Sequence, residues 1–200
     1  MKIIYNHYAA DETIPVLDYV KNRKLVKYFN RETAAAIVAS ARLLENLEID
    51  PLIPFYYETG IMESEDLGLE SLARASCDSA GKFSQKNFAE TGAKAVPPLT
   101  QFKALYNMPL SFVSIEHGLK GDNSVIYSSA YGLLMQALHA PADKILLGCG
   151  KIFADRSAAS AFALVEKDEI KDSPFLTGER HSAEAIELFL EWSSHRGNSQ

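Results

Sequence analysis

Apolar positions along this chain follow two rhythms. Residues 1–8 begin with a short apolar run that reads as a strand. After Asn30 the spacing changes to three and four, with Ala34, Ile37, Val38, Ala41 and Leu44 on one helical face. Asn30 suits the cap of that helix, and Glu32 sits favourably in its first turn. Its many alanines predict a helix lying close on a sheet, ended by Pro51 and Pro54. Phe55-Tyr56-Tyr57 reads as a strand leaving through Thr59-Gly60. Ile61, Leu67, Leu69 and Leu72 predict a helix from Ile61 to Ala75, followed by a polar, irregular stretch over 76–95 that Val96-Pro97-Pro98 closes. Phe102, Leu105, Tyr106, Phe112, Val113 and Ile115 predict a helix over 102–117, kinked near Pro109. Val125–Tyr127 is a predicted strand and Ala130–His139 a helix; Lys144–Gly150 and Ala161–Glu166 are buried strands. Ser182 is the expected cap of a last amphipathic helix bearing Ile186, Phe189, Leu190 and Trp192. Strands alternating with helices predict an α/β fold, layered helices on a mixed β-sheet. No repeat, linker or low-complexity tract interrupts it, so residues 1–200 are expected to form one domain.

Composition narrows the function class. The 200 residues are 47% hydrophobic and 23% charged, enough for a sizeable core in an ordinary globular chain. The net charge of −6 argues against nucleic acid or anionic membrane as the main partner. Residues 21–27 (KNRKLVK) form the one basic cluster and read as a solvated turn. No apolar run reaches the ~20 residues of a membrane span, and residues 1–8 lack a signal-peptide apolar region, so a cytoplasmic location is expected.

Chemistry-bearing motifs are sparse. There is no GxSxG, GxGxxG, GxxxxGK[ST] or HExxH. His7, His117, His139, His181 and His195 have no i, i+4 partner, so neither a metal nor a cofactor is expected. Cys77 and Cys149 form no CxxC and read as small apolar residues. One segment stands out. In residues 118–134 (GLKGDNSVIYSSAYGLL), the β-branched run Val125–Tyr127 feeds through small residues into a helical pattern. Many α/β enzymes hold a nucleophile on such a strand-to-helix turn, yet its head here is Ala130, which carries no reactive atom.

From about Arg23 to Glu166 the chain resembles the N-terminal half of the β-ketoacyl synthases, the thiolase-fold condensing enzymes. The resemblance rests on ordered motifs. Lys27-Tyr28-Phe29-Asn30-Arg31 precedes the Ala-rich helix, and Tyr57-Glu58-Thr59-Gly60-Ile61 matches a strand and Gly-Ile turn. Pro97-Pro98-Leu99 and Asn107-Met108 follow, then Gly118-Leu119-Lys120-Gly121, with Asp122 where the family usually has Pro. Ser129-Ala130-Tyr131-Gly132 falls on the Ala-Cys-x-Ser elbow, and Ser160–Glu166 on a small-residue strand. The resemblance implies a thiolase-like half-fold in which Ala130 holds the nucleophile position. The family's two active-site histidines belong to its second half, which no segment here matches.

Such a half is expected to expose one face of its inner helices and to keep the dimer-interface strand, Val125, Ile126 and Tyr127, as an open edge. The implied role is that of a chain-length factor, as in the short Cys-less partners of aryl polyene systems. It would be a non-catalytic subunit paired with a full-length β-ketoacyl synthase. The family's tunnel positions carry over to Ile61, Met62, Glu65 and Leu69, with Thr100 where an aromatic reaches the partner's pocket. Ile61 and Leu69 also suit an ordinary core. Two other readings stay open. One is a degenerate stand-alone acyl-processing enzyme, for which Ser128, Ser129 and His117 lie nearest in sequence. The other is an adaptor docking acyl carrier protein through Lys21, Arg23, Lys24 and Lys27.

Overall fold

A computed structural model describes residues 1–63, 69–96, 98–103, 105–177 and 180–197. Five strands, β1 (Lys2–Tyr8), β2 (Phe55–Thr59), β3 (Asn123–Tyr127), β4 (Lys144–Ile152) and β5 (Ala158–Glu166), form one sheet ordered β1-β5-β4-β2-β3. β1 and β4 both run antiparallel to β5, while β2 lies parallel to β4 and to β3. The sheet is thus mixed, as the sequence predicts. β4 and β5 are covered on both faces, which is why they read as unbroken apolar runs rather than alternating ones.

The helices are α1 (Arg31–Leu44), α2 (Leu69–Ala75), α3 (Gln85–Asn87), α4 (Ala93–Ala95), α5 (Pro98–Lys103), α6 (Met108–His117), α7 (Ala130–Leu138), α8 (Lys167–Ile170) and α9 (Ala185–Gly197). Asn30 caps α1, its side chain accepting the Thr33 amide at 2.8 Å. Ala34, Ala35, Ala36 and Ala39 of α1 are buried, as are Ala158, Ala159, Ala161 and Ala163 of β5. Small side chains on both partners let the helix lie close on the strand. Alternation splits the core in two. Tyr57 and Val125 join the cluster beneath α1 and α6; Tyr56 and Ile126 join the one beneath α7 and α9.

Several local expectations are corrected. Residues 61–63 are not helical: the Glu63 amide donates to the Ile152 carbonyl at 3.1 Å, prolonging the course of β2 beside β4. Of that predicted helix, the described residues show Leu69–Ala75 helical, and residues 64–68 lie outside the described residues. Pro109 does not kink a long helix; it lies in the first turn of α6, where its missing N–H costs nothing. The 76–95 stretch is helical from Gln85, passing from α3 through a π-helical turn at Phe88–Gly92 to α4. The basic cluster lies largely on a 3₁₀ helix, Arg23–Tyr28. The last helix starts at Ala185, where the Glu184 amide donates to the Glu187 carboxylate at 3.2 Å, so Ser182 is not its cap. The inner helix α7 is not an open face either. None of its nine residues is exposed, because α9 packs across it and across β1, β4 and β5. Among the described residues no helix is long and apolar enough to cross a membrane.

Candidate functional site

The candidate site lies at the carboxyl ends of the parallel strands β2, β3 and β4, where α/β sheets commonly bind ligands. β3 ends at Tyr127, and Ser128 turns the chain with φ 48°, a left-handed conformation seldom held by a residue with a side chain. Its amide donates to the Thr59 carbonyl at 2.9 Å. The Ser129 hydroxyl accepts the Gly132 amide at 2.9 Å and caps α7. A Cβ on Gly132 would lie 3.0 Å from Ile126 and 3.2 Å from Ser129 Oγ, so the turn needs the small residue there. Ala130 opens α7 and is fully buried.

The first amide of a helix is the donor that an anion would use. In this chain that donor is engaged: the Ala130 N–H donates to the Ala183 carbonyl at 2.8 Å. The next residue, Glu184, ties the strand ends together. One carboxylate oxygen accepts the Ile61 amide at 2.7 Å and the Ser128 hydroxyl at 3.1 Å. The other pairs with the Lys151 ammonium, which also meets Glu63 at 2.7 Å. Burial pulls the Lys151 pKa down, but its bonds to Glu184 and Glu63 outweigh this and hold it above the ordinary lysine value. Gly60 is packed into the same knot: a Cβ there would stand 3.1 Å from Lys151 Cβ and 3.2 Å from Glu184 Oε1.

Two more carboxylates lie inside. Glu32, in the first turn of α1, accepts the Tyr57 hydroxyl at 3.0 Å and the Thr59 hydroxyl at 3.2 Å. Glu58 projects to the opposite face of β2, toward the starts of α7 and α9, and is fully buried. Burial first, then repulsion from Glu184, raises its pKa from 4.5 to about 8; the amides of Ala185 and Ser129 offset part of that. Cys149 beside it is pushed well up by burial, then by Glu58, so its thiol is inert as the sequence suggests. Gly148 and Gly150 flank it for lack of space: a Cβ on Gly150 would sit 2.2 Å from the Tyr57 hydroxyl.

The sequence-derived site residues do not all converge. Val125, Ile126 and Tyr127 pair with Tyr57, Glu58 and Thr59, and among the described residues no strand pairs with the outer side of β3, which is a sheet edge. Ile61 and Ala130 meet through the Ala183-Glu184 clip. Ile61 is 48% exposed and Met62 half-buried. Leu69 is exposed at the start of α2, and Thr100 is half-buried on α5. Glu65 lies outside the described residues. Tyr106, 45% exposed, packs against Tyr127, 51% exposed, with ring centroids 4.8 Å apart and planes inclined at 58°, extending the apolar edge. The Tyr127 pKa is raised by the hydrogen bond with Tyr106.

Sequence reasoning missed Glu184, Lys151 and Glu58. A lysine inside the apolar run of β4 and a glutamate inside that of β2 were the available signals, since buried charges need partners. The stand-alone-enzyme candidates do not assemble. Ser129 is a helix cap, and Ser128 is tied to Glu184. His117 contacts Ser40 at 3.0 Å, and burial, then Lys21, lowers its pKa to about 4. Asp122 accepts the Tyr56 hydroxyl at 2.6 Å; burial, then that bond, raises the Tyr56 pKa to about 12.

No protein-family model and no curated protein matches the chain. Solved structures do. "The ishigamide ketosynthase/chain length factor" aligns with a TM-score of 0.53 and 18% identity, over 77% of this chain and 48% of its own. A type II polyketide synthase acyl-carrier protein in complex with its ketosynthase bound to the hexaketide (AntDE:AntF) aligns with a TM-score of 0.53 and 14% identity, over 80% of this chain and 53% of its own. The chain thus spans about half the length of these structures and has their α/β fold over that part.

Proposed function

We propose that this chain is a non-catalytic, chain-length-factor-like subunit that pairs with a full-length β-ketoacyl synthase. It would complete the dimer and the acyl tunnel in polyketide- or fatty-acid-type biosynthesis, aryl polyene synthesis being the closest case. The observation that carries this reading is Ala130. It stands at the head of an intact strand-to-helix elbow, has no reactive atom, and spends its amide on Ala183. Chemistry through an acyl-enzyme needs a nucleophile there and a free donor for the oxyanion.

The edge of β3 supports the pairing. Val125, Ile126 and Tyr127 lie on a strand with one unpartnered side, and Tyr106 adds apolar surface beside it. Unprotected edges of that kind are covered in stable assemblies. On this reading Ile61, Met62, Leu69 and Thr100 face the shared acyl channel. The carrier protein held by the second comparison ketosynthase suggests a carrier partner as well. The segment Arg23–Tyr28 would offer it a basic surface through Arg23, Lys24 and Lys27.

The test is affinity purification of the native chain with mass spectrometric identification of what accompanies it. A β-ketoacyl synthase in equimolar amount supports the reading. A stable monomer that never binds such an enzyme ends it.

A further inference from the structure

The strand ends that would form the floor of a condensing site are joined by a segment beyond the reach of the sequence resemblance. Ala183 and Glu184 lie just before α9. The Ala183 carbonyl takes the first amide of α7, and the Glu184 carboxylate takes the Ile61 amide, the Ser128 hydroxyl and the Lys151 ammonium. Lys151 is fixed from its other side by Glu63 at 2.7 Å, whose second oxygen accepts the Ala154 amide at 3.1 Å. One buried side chain therefore links the ends of β2, β3 and β4 to the elbow. The turn at Gly60 packs tightly against it: a Cβ there would stand 3.2 Å from Glu184 Oε1.

We infer that Ala183 and Glu184 seal the elbow from within, with Glu184 as the positioning residue that holds the Gly60-Ile61 turn and Ser128 together. Resting on the chain-length-factor reading, this makes the seal the closed end of the acyl channel in this subunit. An acyl chain arriving from the partner stops at the half-exposed Ile61 and does not reach Ala130. Chain length is then set partly by a residue that touches no acyl group. Glu184 fixes where Ile61 stands by holding its backbone amide.

The physical basis is local. Replacing Glu184 by Ala removes the acceptor of the part-buried Ile61 amide and Ser128 hydroxyl and half of the pairing of the buried Lys151. Groups left without partners there favour an opened state. Gln keeps an acceptor for Ile61 and Ser128, and Lys151 keeps Glu63.

Thiol accessibility of the full chain tests this without any ketosynthase, so its outcome is independent of whether the pairing is correct. Ala130→Cys is placed in a Cys77→Ser background, with buried Cys149 as the internal reference. Methyl methanethiosulfonate and a long-chain alkyl methanethiosulfonate are the probes, and each cysteine is followed by peptide mass spectrometry. With Glu184 present, position 130 reacts as slowly as Cys149 with both reagents. Glu184→Ala raises the rate at position 130 by roughly tenfold to a hundredfold, leaving Cys149 unchanged. Glu184→Gln restores most of the protection.

Rapid labelling of position 130 with Glu184 in place overturns the proposal. So does continued protection in Glu184→Ala, or equal labelling of position 130 in Glu184→Gln and Glu184→Ala. If Glu184→Ala exposes Cys149 together with position 130, Glu184 holds the whole fold rather than the elbow, and the proposal also fails.

Discussion

The amide of Ala130 donates to the carbonyl of Ala183 at 2.8 Å, so on the proposed reading the nucleophile position is silent twice over. It lacks a reactive atom, and the donor beside it is occupied. On that reading, restoring the atom alone is insufficient. The purified Ala130→Cys chain should show no condensation or decarboxylation of malonyl-carrier substrates above background. Turnover by that single variant would show that the elbow is still a working site.

The two glycines of β4 are there for space. Gly150→Ala would place its methyl group 2.2 Å from the Tyr57 hydroxyl and 2.7 Å from Glu32 Cγ, inside a buried hydrogen-bonded pair. Overpacking of that kind should cost about 1–3 kcal/mol or more. Gly81→Ala is the contrast: it meets no atom within 4 Å but holds φ 73°. It should cost ~1 kcal/mol from backbone strain alone. Urea denaturation midpoints of the two variants measure the difference.

Stability should fall as pH rises from neutral. Glu58 ionises at about 8 in the folded chain against 4.5 ordinarily, so the folded state holds the extra proton between those values. Its contribution is full below pH 4.5 and lost as pH rises through 8. His117 acts with the opposite sign at lower pH. Its pKa is lowered from 6.5 to about 4, so its contribution is present above 6.5 and lost as pH falls through 4. Between 6.5 and 8 Glu58 acts without it. Unfolding followed across that window should show declining stability in the native chain and a flatter profile in Glu58→Gln. Equal slopes for both would remove Glu58 from the account.

Asp122 has a structural role of its own. It accepts the buried Tyr56 hydroxyl, so Asp122→Ala should destabilise the chain by about 1–3 kcal/mol by stranding that group. Asp122→Asn, which keeps an acceptor, should cost less. Thermal unfolding of the two variants distinguishes the hydrogen bond from mere loop stiffness.

The strands were legible in the sequence because β4 and β5 are buried on both faces and β2 is aromatic, patterns that few other elements produce. The Asn30 cap and the Ala-rich α1 were legible for the same local reasons. Residues 61–63 were not, because their conformation is set by tertiary pairing to Ile152 and Lys151 rather than by their own apolar spacing. Within the site, Ala130 and β3 could be placed from order and spacing. Glu184 could not, since its role depends on partners at positions 61, 128 and 151 that only folding brings together. The closing of α7 by α9 was likewise invisible, because amphipathic spacing in α9 does not say which surface it covers.

The central claim is that the β3 edge receives a β-ketoacyl synthase. Tyr106 and Tyr127 pack against each other on that edge and are about half exposed, so the double variant Tyr106→Asp, Tyr127→Asp should fold normally while weakening the pair. A loss of about 2 kcal/mol, roughly thirtyfold in affinity, is expected for aromatic anchors at an interface. The most direct measurement is native mass spectrometry of the chain purified with its partner, wild type beside the double variant. The account predicts a one-to-one complex with a β-ketoacyl synthase for the wild type and mostly free chain for the variant. A wild-type chain found only as monomer, or a complex undiminished by the two aspartates, would contradict it.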